Sequence, residues 1–122
     1  MKQILVIEDD PDLRQIVSKA LRDAGYFVTS AADGAQGLAM FKVSMPDLVL
    51  TDLVMPEMEG IEVIVELRRN HPEFRIIAMS SGGEWKQTVY LQLAHHLGAT
   101  RTLEKPFSIQ QLLVAVGEEL EK

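Results

Sequence analysis

The chain has 122 residues, with 12 Lys and Arg against 18 Asp and Glu and a formal net charge of −6. That length suits one domain around one hydrophobic core, and the acidic balance, with no cluster of Lys and Arg, argues against direct nucleic-acid binding, since phosphate contacts need grouped cations. Cysteine is absent, which excludes disulfides, thiolate zinc sites and a cysteine nucleophile and fits a reducing compartment.

The first apolar run, Ile4-Leu5-Val6-Ile7, meets Glu8 at once and is too short for a signal peptide. It reads as a strand buried on both faces, because it is unbroken and rich in β-branched residues. Leu13, Ile16, Val17, Ala20, Leu21 and Ala24 then follow helical spacing, with Gly25 as a stop. Phe27-Val28-Thr29 is a second strand. Asp33-Gly34 separates it from a less regular helix around Leu38 and Phe41. Leu48-Val49-Leu50 is the third strand, and Ile61, Ile64 and Leu67 stripe the helix after it. Ile76-Ile77-Ala78-Met79 is the fourth strand. Val89, Leu93 and Leu97 stripe the next helix, which Gly98 closes. The weaker Thr102-Leu103 is a fifth strand. Leu112, Leu113, Val116 and Leu120 line a last helix, which Ser108 and Gln111 open as a capping box.

Five strand–helix units with short connections predict an α/β fold: one doubly wound domain over residues 1–122, with a parallel sheet, right-handed crossovers and helices on both faces. No stretch approaches the ~20 apolar residues of a membrane span, so the expectation is a soluble, cytoplasmic protein.

Ligands of open parallel sheets bind beyond the carboxyl ends of the strands. The residues leaving the strands there are Glu8, Asp9 and Asp10, then Thr51 and Asp52, then Ser80 and Ser81, then Glu104, Lys105 and Pro106. Asp9 and Asp52 brought together in partial shelter repel, so one gains a proton or both share a cation. Carboxylates with a backbone carbonyl and waters are the usual Mg²⁺ arrangement. A metal and a lysine beside a carboxylate suit phosphoryl transfer, where positioning and charge neutralisation do most of the catalysis. The carboxylate can itself be the nucleophile and form an aspartyl phosphate.

In its ordered motifs the chain resembles the receiver domain of bacterial two-component response regulators, in particular the stand-alone, chemotaxis-regulator type. The matching pieces are ILVIEDD at 4–10, DLVLTDLVMPEMEG at 47–60, IIAMSS at 76–81 and LEKPF at 103–107. The resemblance implies a flavodoxin-like sheet in the order 2-1-3-4-5 and makes Asp52 the phosphoacceptor. It implies Mg²⁺ held by Asp9, Asp52 and the carbonyl of Val54, with Glu8 acting through water. Ser80 becomes the switch hydroxyl, Lys105 a phosphoryl contact, and the Lys105–Pro106 bond cis. The donor would be a sensor histidine kinase or a histidine phosphotransfer protein. Phosphorylation would change the surface of helix 4, strand 5 and helix 5, which binds an unidentified protein target. On this reading the chain is a switch without an output domain that assists its own phosphorylation and dephosphorylation, not an enzyme acting on a separate substrate.

The pattern is departed from in two places. Thr102 stands where family members often carry an aromatic switch residue. The segment from Ser80 to Lys105 is longer by about one helical turn, with Gly82-Gly83 near its start. Switching is therefore expected to run through the loop after the fourth strand, beside Trp85, rather than through a rotating ring.

A competing class is a phosphatase that forms an aspartyl phosphate from a D-x-D motif. Asp10-Pro11-Asp12 imitates it, but Leu13 and Arg14 follow, and Pro11 reads better as the opening of a helix. Asp10 is accordingly expected to be a solvated residue at the helix start. His71, His95 and His96 are expected to face solvent. A nucleotide-binding reading fails because the first loop has no glycine cluster to cradle phosphate.

Overall fold

Every residue of the strand Leu48–Asp52 is buried, although it ends on a threonine and an aspartate. It is β3, the middle strand of a sheet that buries both faces. The computed structural model describes residues 1–53, 60–80 and 92–121. The other strands are β1 (Gln3–Ile7), β2 (Phe27–Ala31), β4 (Ile76–Ser80) and β5 (Arg101–Glu104). All pairs are parallel and the order is β2-β1-β3-β4-β5, as the resemblance implied.

Alternation along the strands sends their side chains to two separate cores. Leu5, Ile7, Val49, Ile76 and Ala78 pack with Phe41, Val63, Ile64, Leu67 and Ala94. Ile4, Val6, Leu48, Leu50, Ile77 and Met79 pack with Val17, Leu21, Leu112 and Val116 on the opposite face. The second face thus carries α1 (Pro11–Asp23) and α5 (Ile109–Glu121), and the first carries α2 (Gly34–Ser44), α3 (Gly60–Asn70) and the α4 turns at 92–97. Each fully buried Leu or Ile contributes roughly 1.5–3 kcal/mol.

The helix signals act as expected. Asp10 caps α1 by accepting from the backbone of Asp12 and Leu13, with Pro11 in the first turn. This use of the Asp10 side chain removes the motive for the D-x-D reading. Ser108 and Gln111 bond reciprocally, at 2.8 and 3.0 Å. The irregular pattern of α2 has a steric cause: Gly37 lies against Ile7, and a methyl there would run into the Ile7 side chain. The helix buries a glycine where periodicity looks for an apolar residue.

Three expectations need correction. Ile16 is 55% exposed; α1 buries Val17, Ala20 and Leu21 as expected but adds Ser18, so the buried face is rotated away from Ile16 and includes a serine. Leu93 is 41% exposed, and Ala94 makes the contact, because α4 turns a small residue toward the sheet. His71 does not face solvent: it is half-buried, with its ring 5.0 Å from that of Phe41 and 6.3 Å from that of Phe74. His95 and His96 are exposed. The expectations for Val54, Met55-Pro56, Ser81, Gly82-Gly83, Trp85 and Val89 lie outside the described residues.

Candidate functional site

Glu8 and Asp9 leave β1, Asp52 ends β3, Ser80 ends β4, and Lys105 follows β5. Parallel registration aligns these ends: Ile7 pairs with Thr51, Asp52 with Met79 and Ser80 with Glu104. The sheet thereby gathers the predicted acidic and basic residues at one edge. Carboxylate oxygens of Glu8, Asp9 and Asp52 lie within 4.8 Å of one another. Lys105 Nζ is 2.7 Å from Glu8 Oε1 and 3.4 Å from Asp52 Oδ1.

Backbone groups fix the buried acids. Leu53 N–H donates to Asp52 Oδ1 at 3.0 Å, and Asp10 N–H to Glu8 Oε2 at 3.1 Å. Lys105 N–H donates to the Ser80 carbonyl at 2.7 Å, so the residues expected to act as switch hydroxyl and cation are joined through their backbones. The Lys105–Pro106 bond is cis. Gly60, the last residue of the motif at 47–60, starts α3 hard against β3; a methyl on it would overlap the carbonyl of Asp52.

Glu8 and Asp52 are only 1% and 7% exposed, while Asp9 is exposed. Burial, helped by the charge of Asp52, pushes the Glu8 carboxyl up to about 7 despite its bond to Lys105. Burial and the charge of Asp9 raise Asp52 as well, against Lys105. Burial pulls Lys105 down, but its hydrogen bond to Glu8 and the charge of Asp52 outweigh that, and it is raised. Among the described residues, three carboxylates thus face one ammonium, and two of them, Glu8 and Asp52, hold their protons more tightly than usual. An all-oxygen donor set with surplus negative charge fits a hard divalent cation such as Mg²⁺.

From the sequence alone Arg14 counted only against the D-x-D reading and carried no role in the site. Its Nη1 donates to the Glu8 carbonyl at 2.9 Å. Arg68 was missed too. It donates to the carbonyls of His71 (3.0 Å), Pro72 (2.7 Å), Phe74 (2.7 Å) and Gly98, tying the approach to β4 to the end of α4. No periodicity announces either residue; each follows a helix stripe and looks like surface charge.

A parallel 2-1-3-4-5 sheet with an acidic group and a lysine at its carboxyl edge has the architecture of a receiver-type signalling domain. The comparisons agree: residues 4–117 match the family described as response regulator receiver domain, and the chain belongs to that family, a module of two-component systems. It is 32% identical over 112 residues to the probable transcriptional regulatory protein TcrX of Mycobacterium tuberculosis, covering 91% of this chain and 46% of that protein. It is 32% identical over 119 residues to sporulation initiation phosphotransferase F of Bacillus subtilis, covering 98% of this chain and 94% of that protein. The crystal structure of the receiver domain of NtrX from Brucella abortus superposes with a TM-score of 0.91 at 29% identity, over 98% of each chain. The chain spans about half the length of several curated relatives it matches, TcrX among them. Among the described residues, no helix is long and apolar enough to cross a membrane.

Proposed function

We propose that residues 1–122 act as one phosphoacceptor switch, with Asp52 as the acceptor. The observation that carries this is Asp52 itself: a 7% exposed carboxylate at a strand end, with Lys105 Nζ at 3.4 Å and two further carboxylates beside it. A carboxylate oxygen of Asp52 attacks the phosphorus of a phosphohistidine. The P–O bond forms, the P–N bond breaks, and the electron pair leaves with the imidazole. Lys105 turns from Glu8 and Asp52 toward the phosphoryl oxygens. The Ser80 hydroxyl donates to one of them, a contact available only in the phosphorylated state, which is what shifts the population of states.

Asp9, Asp52 and the Val54 carbonyl would hold Mg²⁺, with Glu8 acting through water. Bound there, the ion supplies charge neutralisation at the phosphoryl oxygens. Return to the resting state is attack of water on the same phosphorus, releasing inorganic phosphate and restoring the carboxylate. The donor is a sensor histidine kinase or a histidine phosphotransfer protein in the cytoplasm. The surface of α4, β5 and α5 then binds a protein target.

Transfer from a phosphorylated histidine kinase tests the reading. Label is expected to pass to this chain with Mg²⁺ present, and not with a chelator or in Asp52→Asn. Sustained turnover of a generic phosphate ester, with no phosphorylated protein accumulating, would instead support the phosphatase class.

A further inference from the structure

Asp9 is the exposed member of the carboxylate group, and among the described residues no hydrogen bond or ion pair holds its side chain. Its direction is therefore set by its backbone, beginning with the peptide plane that joins it to Glu8. On the amide side Glu8 is anchored, since its N–H donates to the Ala31 carbonyl at 3.1 Å. On the carbonyl side no bond from the sheet is made among the described residues: β1 ends at Ile7, and its ladder with β2, the strand that Glu8 faces, stops at the pair Ile7 and Ala31. Among the described residues the hydrogen bond to that carbonyl comes from Arg14 Nη1, at 2.9 Å.

Arg14 is well placed to hold it. Its own N–H makes the first helical bond of α1, to the Asp10 carbonyl at 2.9 Å. Asp10 N–H in turn donates to Glu8 Oε2 at 3.1 Å. The bonds close a ring from the Glu8 carbonyl through Arg14 and Asp10 back to the Glu8 carboxylate, and Asp9 is the residue the ring straddles. Partners behind a metal ligand orient it, and their loss typically costs ten- to a hundredfold in metal affinity.

We propose that Arg14 is a positioning residue of the divalent-cation site, aiming Asp9 by locking the Glu8–Asp9 peptide; this rests on the reading that Asp9 holds Mg²⁺. The sign of the effect is diagnostic. Arg14 adds positive charge near a cation site, so charge alone would make its removal strengthen Mg²⁺ binding. Positioning makes its removal weaken binding.

The experiment titrates Mg²⁺ alone into the full chain, wild type against Asp9→Asn, Arg14→Met and Arg14→Lys, by calorimetry and by amide NMR. Arg14→Met is expected to weaken Mg²⁺ by about tenfold. It should also shift the Asp9 amide resonance of the metal-free protein while leaving the cores under β3 and β4 unmoved. Arg14→Lys, which keeps a donor for the carbonyl, should recover part of the affinity. Should Arg14→Met fold poorly, Arg14→Gln, polar and too short to reach the carbonyl, is expected to show the same weakening. Unchanged or tighter Mg²⁺ binding in a folded Arg14→Met or Arg14→Gln, alongside weak binding in Asp9→Asn, overturns the role of Arg14 and leaves the metal reading standing. Wild-type affinity in Asp9→Asn overturns both.

Discussion

Lys105 Nζ lies closer to Glu8 Oε1, at 2.7 Å, than to Asp52 Oδ1, at 3.4 Å. Lys105 is therefore committed more closely to Glu8 than to Asp52, the proposed phosphoacceptor, which it compensates only loosely. On the proposed reading, this arrangement keeps the cation beside Asp52 without quenching it.

Removing that cation leaves the buried carboxylates of Glu8 and Asp52 without their ion-pair partner among the described residues. Breaking one partner of a buried pair costs about 3–5 kcal/mol; Lys105 retains 17% exposure of its side chain, which tempers the effect. Lys105→Met is expected to lower metal-free stability at alkaline pH by roughly 2–3 kcal/mol, read as a lower urea midpoint, with saturating Mg²⁺ restoring much of the loss. An unmoved midpoint would show that the pair contributes nothing.

The Glu8 carboxyl titrates at about 7 in the fold against 4.5 ordinarily. The folded state binds this proton more tightly than the unfolded chain does. The stability it contributes is therefore fully present below 4.5 and lost as pH rises through about 7. A pH series of urea unfolding without metal should show a decline on the order of 1–3 kcal/mol across that window, flattened in Glu8→Gln. Since cations bind the ionised carboxylates, Mg²⁺ affinity should rise over the same window. Affinity that falls with rising pH would be incompatible with this site.

Two glycines give a paired test of how tightly β3 and α3 close. Gly60→Ala places a methyl on the backbone of Asp52 and Leu53, which cannot rotate aside. The expected loss is about 2–3 kcal/mol, with weakened Mg²⁺ binding. Gly117→Ala, in α5 with open space around it, should stabilise by roughly 0.5–1 kcal/mol. Thermal unfolding of both variants decides; equal stabilities would mean the contact at Gly60 relaxes freely.

Arg68 tests a different joint. Its bonds to His71, Pro72, Phe74 and Gly98 clip the entry of β4 to the exit of α4. Arg68→Met is expected to cost about 2–4 kcal/mol, since hydrogen bonds to a charged donor contribute roughly 1.5–3 kcal/mol each, while phosphoryl acceptance at low temperature stays near wild type. Selective loss of acceptance in a stable protein would assign Arg68 to the site instead.

The sheet and the site edge were legible because both follow from short-range rules. Apolar runs named the strands, and strand ends named Glu8, Asp9, Asp52, Ser80 and Lys105. Gly60 was visible only as part of a motif; its steric reason appears when the Asp52 carbonyl is in place. Illegible were the features that depend on how helices rotate against the sheet. Ile16 satisfies the helical period yet faces outward, Ala94 replaces Leu93, and Gly37 is buried because Ile7 fills the space above it. Arg14 and Arg68 were hidden for a related reason: their partners are backbone carbonyls, which no residue pattern marks. The pairing of Lys105 with Glu8 likewise needed coordinates, since the strand ends equally permit pairing with Asp52 alone.

The most direct test is intact mass and peptide mapping after treatment with a small acyl phosphate and Mg²⁺, on wild type, Asp52→Asn and Asp9→Asn. One added phosphoryl group is expected on the wild type, mapping to the peptide that carries Asp52. None is expected on Asp52→Asn, and slower addition on Asp9→Asn. Equal labelling of Asp52→Asn, or a label mapping to Asp10, would contradict the assignment of Asp52 as the acceptor.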